Sequence, residues 1–179
     1  MKLLISIDKQ GNEKIIGEYE IFSTNDNRFF LLLDSNNKWG LINYKGEIIL
    51  PCEFDSVNTS FKDDMILVKK DDSWGFYNID GTKVVDCIFS SAIAFDQGIA
   101  AVKEKDIDLK YYLINLEGER VSKNSFEYVY GFYEKNLAYF INNEKYGFIN
   151  KKGEIIIDAK YERAEVFSEG IASVKFNNK

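Results

Sequence analysis

Hydrophobic and polar positions follow one another along this chain in a pattern that recurs about every 35 residues. The apolar segments are short and rich in β-branched residues, as at residues 48–50, 84–85 and 155–157, and polar turns separate them. Runs of this length are typical of strands, because helices need longer periodic segments. Apolar residues also occupy adjacent positions, so we expect both faces of each sheet to be covered and the sheets to stack.

Four segments align around an aromatic residue that we call the anchor of each copy. The anchors are Trp39, Trp74, Tyr111 and Tyr146, at spacings of 35, 37 and 35 residues. Stepping back by the same interval from Trp39 leads to Leu4, so a fainter copy opens the chain. The sequence therefore predicts one domain over residues 1–179 with five copies, at 1–35 (degenerate), 36–70, 71–107, 108–142 and 143–179.

A turn motif follows each anchor. An Asn or Asp stands four residues after the anchor, and a Gly stands three residues further on. Asx at the first position of a type I turn with Gly closing it is typical of a β-hairpin. The turn glycines are Gly11 in the first copy and then Gly46, Gly81, Gly118 and Gly153.

Further aromatic columns complete each copy. A ring lies 15 residues after every anchor (Tyr19, Phe54, Phe89, Phe126 and Tyr161), and a Phe column follows it (Phe61, Phe95, Phe132 and Phe167). Another apolar strand comes next. We therefore expect three to four antiparallel strands per copy, with helix limited to single turns around residues 55–61, 90–95 and 163–167.

The anchors are interpreted as core residues. A ring that recurs once per copy can stack with its neighbours, and the Gly beside Trp39, Trp74 and Tyr146 lets the backbone pack closely on the ring. The alternative is a row of exposed rings on which sugars or bases stack.

These columns resemble the WG repeat of bacterial proteins. The resemblance rests on Trp-Gly-Leu-Ile-Asn from Trp39, Gly-Glu-Ile-Ile from Gly46, and Phe-x-x-Gly-Ile-Ala-x-Val from Phe95, and it extends to Val174. The third copy departs with Tyr111-Tyr112, and the first with Leu4-Ile5. The resemblance implies a β-repeat scaffold that serves as a non-catalytic module and has no catalytic residues to carry over.

The fold class we predict is all-β, with tandem antiparallel β-meander repeats in an open array or solenoid. The faint first copy favours this form, because solenoids need atypical terminal caps. In the alternative, strands 3–7 and 171–176 pair and close a small five-bladed, propeller-like ring. In the open form, strand 171–176 is an exposed edge that could recruit a partner strand or a second copy.

Composition excludes several kinds of chemistry. The 179 residues contain no histidine, which removes Ser-His-Asp and Cys-His catalysis and most zinc sites. We predict no catalytic, cofactor-binding or metal-binding residues and no enzyme activity. The acidic pairs Asp63-Asp64 and Asp71-Asp72 are interpreted as solvated turns. Cys52 and Cys87 share one column and are interpreted as packing thiols, with a redox pair as the alternative.

The connection at residues 103–110 is three residues longer than its counterparts. Insertions in repeat proteins often lie on the binding face, so Glu104, Asp106, Ile107, Asp108 and Leu109 are candidate partner contacts. The alternative is a tolerated surface insertion.

The function we expect is a cytoplasmic scaffold for protein–protein interaction. Acidic residues number 29 against 23 basic ones, for a net charge of −6. This charge favours a basic protein partner over nucleic acid, and one concrete form is an immunity-like protein that neutralises a basic toxin or nuclease. No signal peptide or membrane span is predicted. The alternative is a module that binds carbohydrate or a small ligand through surface aromatics.

Overall fold

A computed structural model of the chain describes residues 2–7, 10–105, 109–132 and 136–176. It is all-β, as predicted: these residues form seventeen strands and a single 3-10 turn at Lys62–Asp64. No helix of the described residues is long and apolar enough to span a membrane. The chain divides into two compact units, Met1–Cys87 and Ile88–Lys179.

The first unit contains two antiparallel sheets whose strand order follows the chain. One has the order β1-β2-β3-β4-β5. The other is the part of the six-stranded order β6-β7-β8-β9-β10-β11 that lies in this unit, namely β6-β7-β8 with the first half of β9. The strands are β1 (Lys2–Ile7), β2 (Glu13–Ser23), β3 (Phe29–Leu33), β4 (Trp39–Asn43), β5 (Ile48–Phe54), β6 (Ser56–Val57), β7 (Met65–Lys70), β8 (Ser73–Asn78) and β9 (Lys83–Asp96).

The second unit continues the same antiparallel meander. The second half of β9 pairs with β10, β10 pairs with β11, and separate sheets have the orders β12-β13-β14-β15 and β16-β17. The strands are β10 (Ile99–Glu104), β11 (Tyr112–Ile114), β12 (Tyr128–Val129), β13 (Leu137–Asn142), β14 (Lys145–Asn150), β15 (Ile155–Tyr161), β16 (Arg163–Ala164) and β17 (Val174–Lys175). None of the described sheets closes into a barrel, and the choice between array and ring stays a prediction.

The sheets do not coincide with the sequence copies. Each sheet takes its first strands from the end of one copy and its last strands from the start of the next; in the second sheet, for example, β7 precedes the anchor Trp74 and β8 contains it. Two long strands, β2 and β9, each pair with different neighbours along their first and second halves. β2 pairs with β1 up to Tyr19 and with β3 from Glu20 onward.

The short helices expected after the aromatic columns are wrong at all three places. Ser56–Val57, the second half of β9 and Arg163–Ala164 are extended instead. Polar residues in these segments form hydrogen bonds with neighbouring strands. Asp55, for example, accepts hydrogen bonds from the Lys38 ammonium (2.6 Å) and the Asp71 N–H (2.8 Å).

The glycine beside the anchor lies opposite a bulge in the neighbouring strand. Between the pairs Trp39–Phe54 and Leu41–Leu50, β5 contains two more residues than β4. A Cβ on Gly75 would lie 2.8 Å from main-chain atoms of β9 at residues 85–87, and Gly147 is equally close to β15. Glycine in a strand marks such a close approach of backbones, so this glycine contacts backbone and not the anchor ring.

The third copy shows what happens without this glycine. Tyr112 takes its place, and the strand that should follow is reduced to isolated bridges from Tyr111 and Ile114. The Ser122 hydroxyl accepts the Leu113 N–H at 2.9 Å, where a strand carbonyl would otherwise lie. The bulky ring of Tyr112 thus keeps the neighbouring backbone away. The Ser122 side chain then satisfies the Leu113 N–H, which the missing strand would leave unpaired.

The core lies between successive sheets. In the first unit, Leu41 and Phe54 of one sheet pack with Ile66 and Val68 of the next. In the second unit, a separate cluster includes Leu113, Phe126, Phe140 and Ile149. The residue two after each anchor is buried in every case (Leu41, Phe76, Leu113 and Phe148). Contacts between neighbouring sheets are the main packing mode of repeat proteins.

The predicted hairpin turns are confirmed. The Gly46 N–H donates to the Asn43 carbonyl at 3.0 Å, and the Asn43 side chain accepts the N–H groups of Lys45 and Glu47. Gly46, Gly81, Gly118 and Gly153 all have positive φ, between 70° and 88°. This is the left-handed residue that follows a type I turn in three-residue hairpin loops.

We predict that Gly75→Ala lowers the free energy of unfolding by about 2–3 kcal/mol, the cost of overpacking a close contact. Gly98→Ala is the matched control, because nothing lies within 4 Å of its Cβ position; its positive φ alone costs about 1 kcal/mol. Urea unfolding monitored by circular dichroism measures both. Equal destabilisation by the two variants would contradict the close approach at Gly75.

Candidate interaction site

Four tyrosines share the outer face of the sheet formed by β12, β13 and β14. Side chains alternate along a strand, and here Val129, Ala138, Phe140 and Ile149 point into the core. The intervening positions carry Tyr128, Tyr130, Tyr139 and Tyr146, the group that we call the tyrosine face. Phe148 lies on the same side of the sheet and is buried against Phe167.

The rings of the tyrosine face contact one another. Tyr130 stacks on Tyr139 with centroids 4.9 Å apart and an interplanar angle of 3°, and Tyr146 tilts against Tyr139 at 5.5 Å. At the border, Tyr128 packs edge-on against the buried Tyr111 at 5.8 Å. Ring pairs at these distances add stabilisation beyond the area they bury, so the face is a rigid aromatic surface.

The tyrosine face remains open to solvent. Tyr128 and Tyr130 are 38% and 39% exposed. Burial, followed by the neighbouring Tyr130 and Tyr146, raises the pKa of Tyr139 to about 12, and burial also raises the pKa of Tyr128. The hydroxyls of Tyr128 and Tyr139 therefore stay neutral at physiological pH and can act as hydrogen-bond donors and acceptors.

The tyrosine face belongs to this sheet alone among the described sheets. In the sheet of β6 to β8, strand pairing puts Ser56, Asn58 and Leu67 at the positions of Tyr128, Tyr130 and Tyr139. In the sheet of β9 and β10 these positions are Ser91, Ile93 and Ala101. The repeat scaffold thus forms without the tyrosines, which points to a role other than folding.

Sequence reasoning singled out Tyr146 as an anchor but not the other three tyrosines. It followed the columns that recur, whereas Tyr128, Tyr130 and Tyr139 interrupt theirs. The available signal was the alternation Tyr128-Val129-Tyr130, which puts two rings on one side of a strand.

The anchors are less buried than the core interpretation requires. Tyr111 is buried, and its hydroxyl lies 2.7 Å from that of Ser91. Trp39, Trp74 and Tyr146 are half-buried; Trp39 packs against Phe22 at 5.3 Å. These three anchors lie on the edge of the core, and the residues two positions later fill it.

The candidate contact loop is only partly described. Glu104 ends β10 and accepts a hydrogen bond from the Tyr112 hydroxyl at 2.7 Å, and Leu109 is exposed. Asp106, Ile107 and Asp108 lie outside the described residues. Burial, reinforced by Glu104, raises the pKa of Tyr112. The Glu104 carboxylate is therefore already bound to Tyr112. Among the described candidate contacts, Leu109 is the one that is open to a partner.

Acidic charge is concentrated in the first unit. Residues 1–87 include fifteen acidic and ten basic side chains, whereas residues 88–179 include fourteen and thirteen. The described acidic side chains of the turns form ion pairs, such as Lys69 with Asp72. No group of His, Cys, Asp and Glu side chains that could hold a metal occurs among the described residues.

The two cysteines are free, half-buried thiols. Burial, followed by the charge of Asp34, raises the pKa of Cys52 to about 11. Burial also raises the pKa of Cys87. A raised pKa lowers the thiolate fraction, and the thiolate is the reactive form, so neither thiol is activated.

Stacked antiparallel meanders with one anchor per copy define a class of β-repeat protein. The chain belongs to the WG containing repeat family, whose sequence profile matches residues 39–73, 74–106 and 146–179. The unmatched regions include the copies in which Leu4-Ile5 and Tyr111-Tyr112 replace Trp-Gly. No curated protein matches the chain.

One solved structure supports the fold. Hsv2p from Kluyveromyces lactis is 12% identical, and the match covers 81% of this chain and 52% of that one with a TM-score of 0.50. KlHsv2 with loop 6CD replaced by a Gly-Ser linker matches at 9% identity, 80% and 54% coverage and a TM-score of 0.49. The chain thus spans about half of these proteins, and the likeness concerns the fold alone.

We predict that Cys52 reacts slowly with iodoacetamide in the folded protein. With a pKa of about 11, its thiolate fraction near pH 8 is roughly a hundredfold below that of an unperturbed thiol. Raising the pH increases this fraction, so the folded rate should rise steadily up to about pH 10, whereas the rate in urea levels off near the ordinary pKa. Peptide mass spectrometry on the Cys87→Ser variant isolates Cys52, and equal rates in the folded and urea-unfolded protein near neutral pH would contradict the expectation.

Proposed function

We propose that this protein is a non-catalytic repeat domain that binds a protein partner through its tyrosine face. The observation that carries the proposal is the set of contacting, partly exposed rings at Tyr128, Tyr130 and Tyr139. The other described sheets have small, polar or aliphatic residues at these positions, except for Phe22 at the position of Tyr130. Membership of a family built from β-rich repeats agrees with a binding role.

Tyrosine suits this role for physical reasons. Each ring brings a large apolar area and a polar hydroxyl while losing little conformational freedom on binding. The mutual stacking of Tyr130 and Tyr139 already fixes their geometry, so little ordering remains to oppose association. Tyrosines of this kind are enriched among the residues that dominate protein interfaces.

Charge supports a basic partner. The net charge is −6, and most of the acidic excess lies in residues 1–87. Opposite charge accelerates encounter between proteins and disfavours acidic partners. One concrete form is a cytoplasmic, immunity-like protein that neutralises a basic toxin or nuclease by covering its active surface; nucleic acid itself fits poorly with this charge.

A second candidate is a carbohydrate or small planar ligand. Tyr130 stacks on Tyr139 and is 39% exposed, so a sugar or aromatic ring could contact the exposed part of this pair. The neutral hydroxyls nearby would supply hydrogen bonds. This candidate uses the same residues, and the experiment below separates it from the first.

We predict that replacing Tyr128 and Tyr130 together by Ser abolishes partner binding and leaves the fold intact. Both side chains are partly exposed, and Ser already occupies the first position in other sheets. The measurement is recovery of a stoichiometric partner from a lysate of the source organism on immobilised protein. Loss of two interface tyrosines should weaken binding by about a hundredfold or more.

The matched control is Tyr44→Ser, which removes an exposed tyrosine of the first unit. It should retain the partner. A partner that binds the double variant as well as the natural protein would overturn the tyrosine face as the interface. Failure to recover any protein, together with quenching of tyrosine emission by members of a glycan panel, would establish the second candidate instead.

A further inference from the structure

Every complete sheet pairs two kinds of strand in the same register. We call β3, β7, β10 and β13 entry strands, and β4, β8, β11 and β14, which follow them, anchor strands. The four pairs align Leu32 with Gly40, Val68 with Gly75, Val102 with Tyr112, and Phe140 with Gly147. One entry residue thus always lies opposite the residue that follows the anchor.

Two strands of the described chain lack the partner that this rule requires. β17 is an entry strand, with Val174 at the position of Val68 and Val102, and within the described residues it pairs with β16 alone. β1 is an anchor strand, with Ile5 after the anchor Leu4, and within the same residues it pairs with β2 alone.

β17 exposes side chains that its counterparts bury. Val174 is 42% exposed, whereas the corresponding side chains of the four complete sheets are at most 1% exposed (Leu32, Val68, Val102 and Phe140). Ile171, three residues before Val174, is 75% exposed; its counterparts Phe29, Met65 and Ile99 are buried, and Leu137 is half-buried. The strand has the composition of a buried one without the neighbour that would bury it.

β1 and its hairpin partner show the same deficit from the other side. Ile7 is exposed, whereas its counterparts Ile42, Ile114 and Ile149 are buried and Tyr77 is half-buried. Ile15 on β2 is exposed, whereas Leu50, at the same distance from its anchor, is buried and residues 85 and 157 are half-buried. An apolar groove of about 250 Å³ opens beside these strands, lined by Leu4, Ile5, Ile16, Ile21, Phe30 and Tyr44 among others.

We propose that β17 of one copy of this chain adds to the β1 edge of a second copy, with Val174 opposite Ile5. The β16-β17 pair supplies the first two strands of a sheet, and β1 with the first half of β2 supplies the last two. Joined, they form a four-stranded sheet of the kind that β12 to β15 form. Backbone hydrogen bonds hold such an added strand, and alternate side chains give it specificity.

The occupant follows from the two deficits. Within the described residues, β1 has no entry strand beside it and β17 has no anchor strand beside it. A second copy of the chain therefore supplies each missing strand in the correct register. Because the two edges differ, the contact is head-to-tail, and the assembly is a closed dimer or a longer series of copies.

The test measures mass by sedimentation over a wide range of protein concentration. The natural protein should exceed the 20.7 kDa of one chain as concentration rises. Val174→Glu and Ile5→Lys should each weaken association by about tenfold or more, because each places an unpaired charge in a cross-strand apolar pair. Leu116→Glu, at an exposed turn residue, is the control and should associate normally.

The double variant Val174→Glu with Ile5→Lys tests the register. The two charges then face each other across the interface, so association should recover and should weaken as salt is added. Far-UV circular dichroism confirms that each variant is folded, and amide hydrogen exchange at high concentration should show new protection in β1 and β17.

A natural protein that stays monomeric at every concentration would overturn the proposal, as would association unaffected by both single substitutions. A double variant no more associated than the singles would overturn the pairing of Val174 with Ile5. These outcomes are independent of the tyrosine face, because Tyr128→Ser with Tyr130→Ser leaves both edges unchanged.

Discussion

The close approach of a glycine to the backbone of the next strand is the constraint on which the rest of this structure depends. At Gly40, Gly75 and Gly147 no side chain fits, and the strands that face Gly40 and Gly147 bulge there. A bulge increases the local twist and bends the strand that carries it. A bent strand can therefore pair with a different neighbour further along, as β9 does with β10 from Phe89 to Asp96.

This constraint determines how the sequence copies relate to the sheets. Since a strand passes onward after each bulge, a sheet is completed only when the next copy supplies its anchor strand. The buried ring that follows the bulge in β5, Phe54, then packs between successive sheets and helps to hold them together. Other residues occupy the positions of Tyr128, Tyr130 and Tyr139 in the remaining sheets, so this packing does not require tyrosine there.

The recurring features could be predicted because each copy repeats the same physical solution. The Asn43 to Gly46 turn, the β-branched strands and the all-β class all follow from local sequence. The extended conformation of residues 90–95 could not be predicted, since it depends on the pairing of β9 with β10, a tertiary contact. The tyrosine face was missed for a different reason: Tyr128 and Tyr130 are departures from the repeat, and their clustering with Tyr139 depends on strand register. The anchor Trp39 was assigned to the core because recurrence was equated with burial, whereas Leu41 two residues later fills that position.

Amide hydrogen exchange across β9, followed residue by residue by NMR, tests this account most directly. In this account, β9 passes close to Gly75 at residues 85–87 and then pairs with β10. Amide exchange should therefore be slow before residues 85–87, faster at these residues, and slow again from Phe89 to Ile93. Protection that ends at residues 85–87 and does not resume would show that the strand stops there, and it would contradict the account.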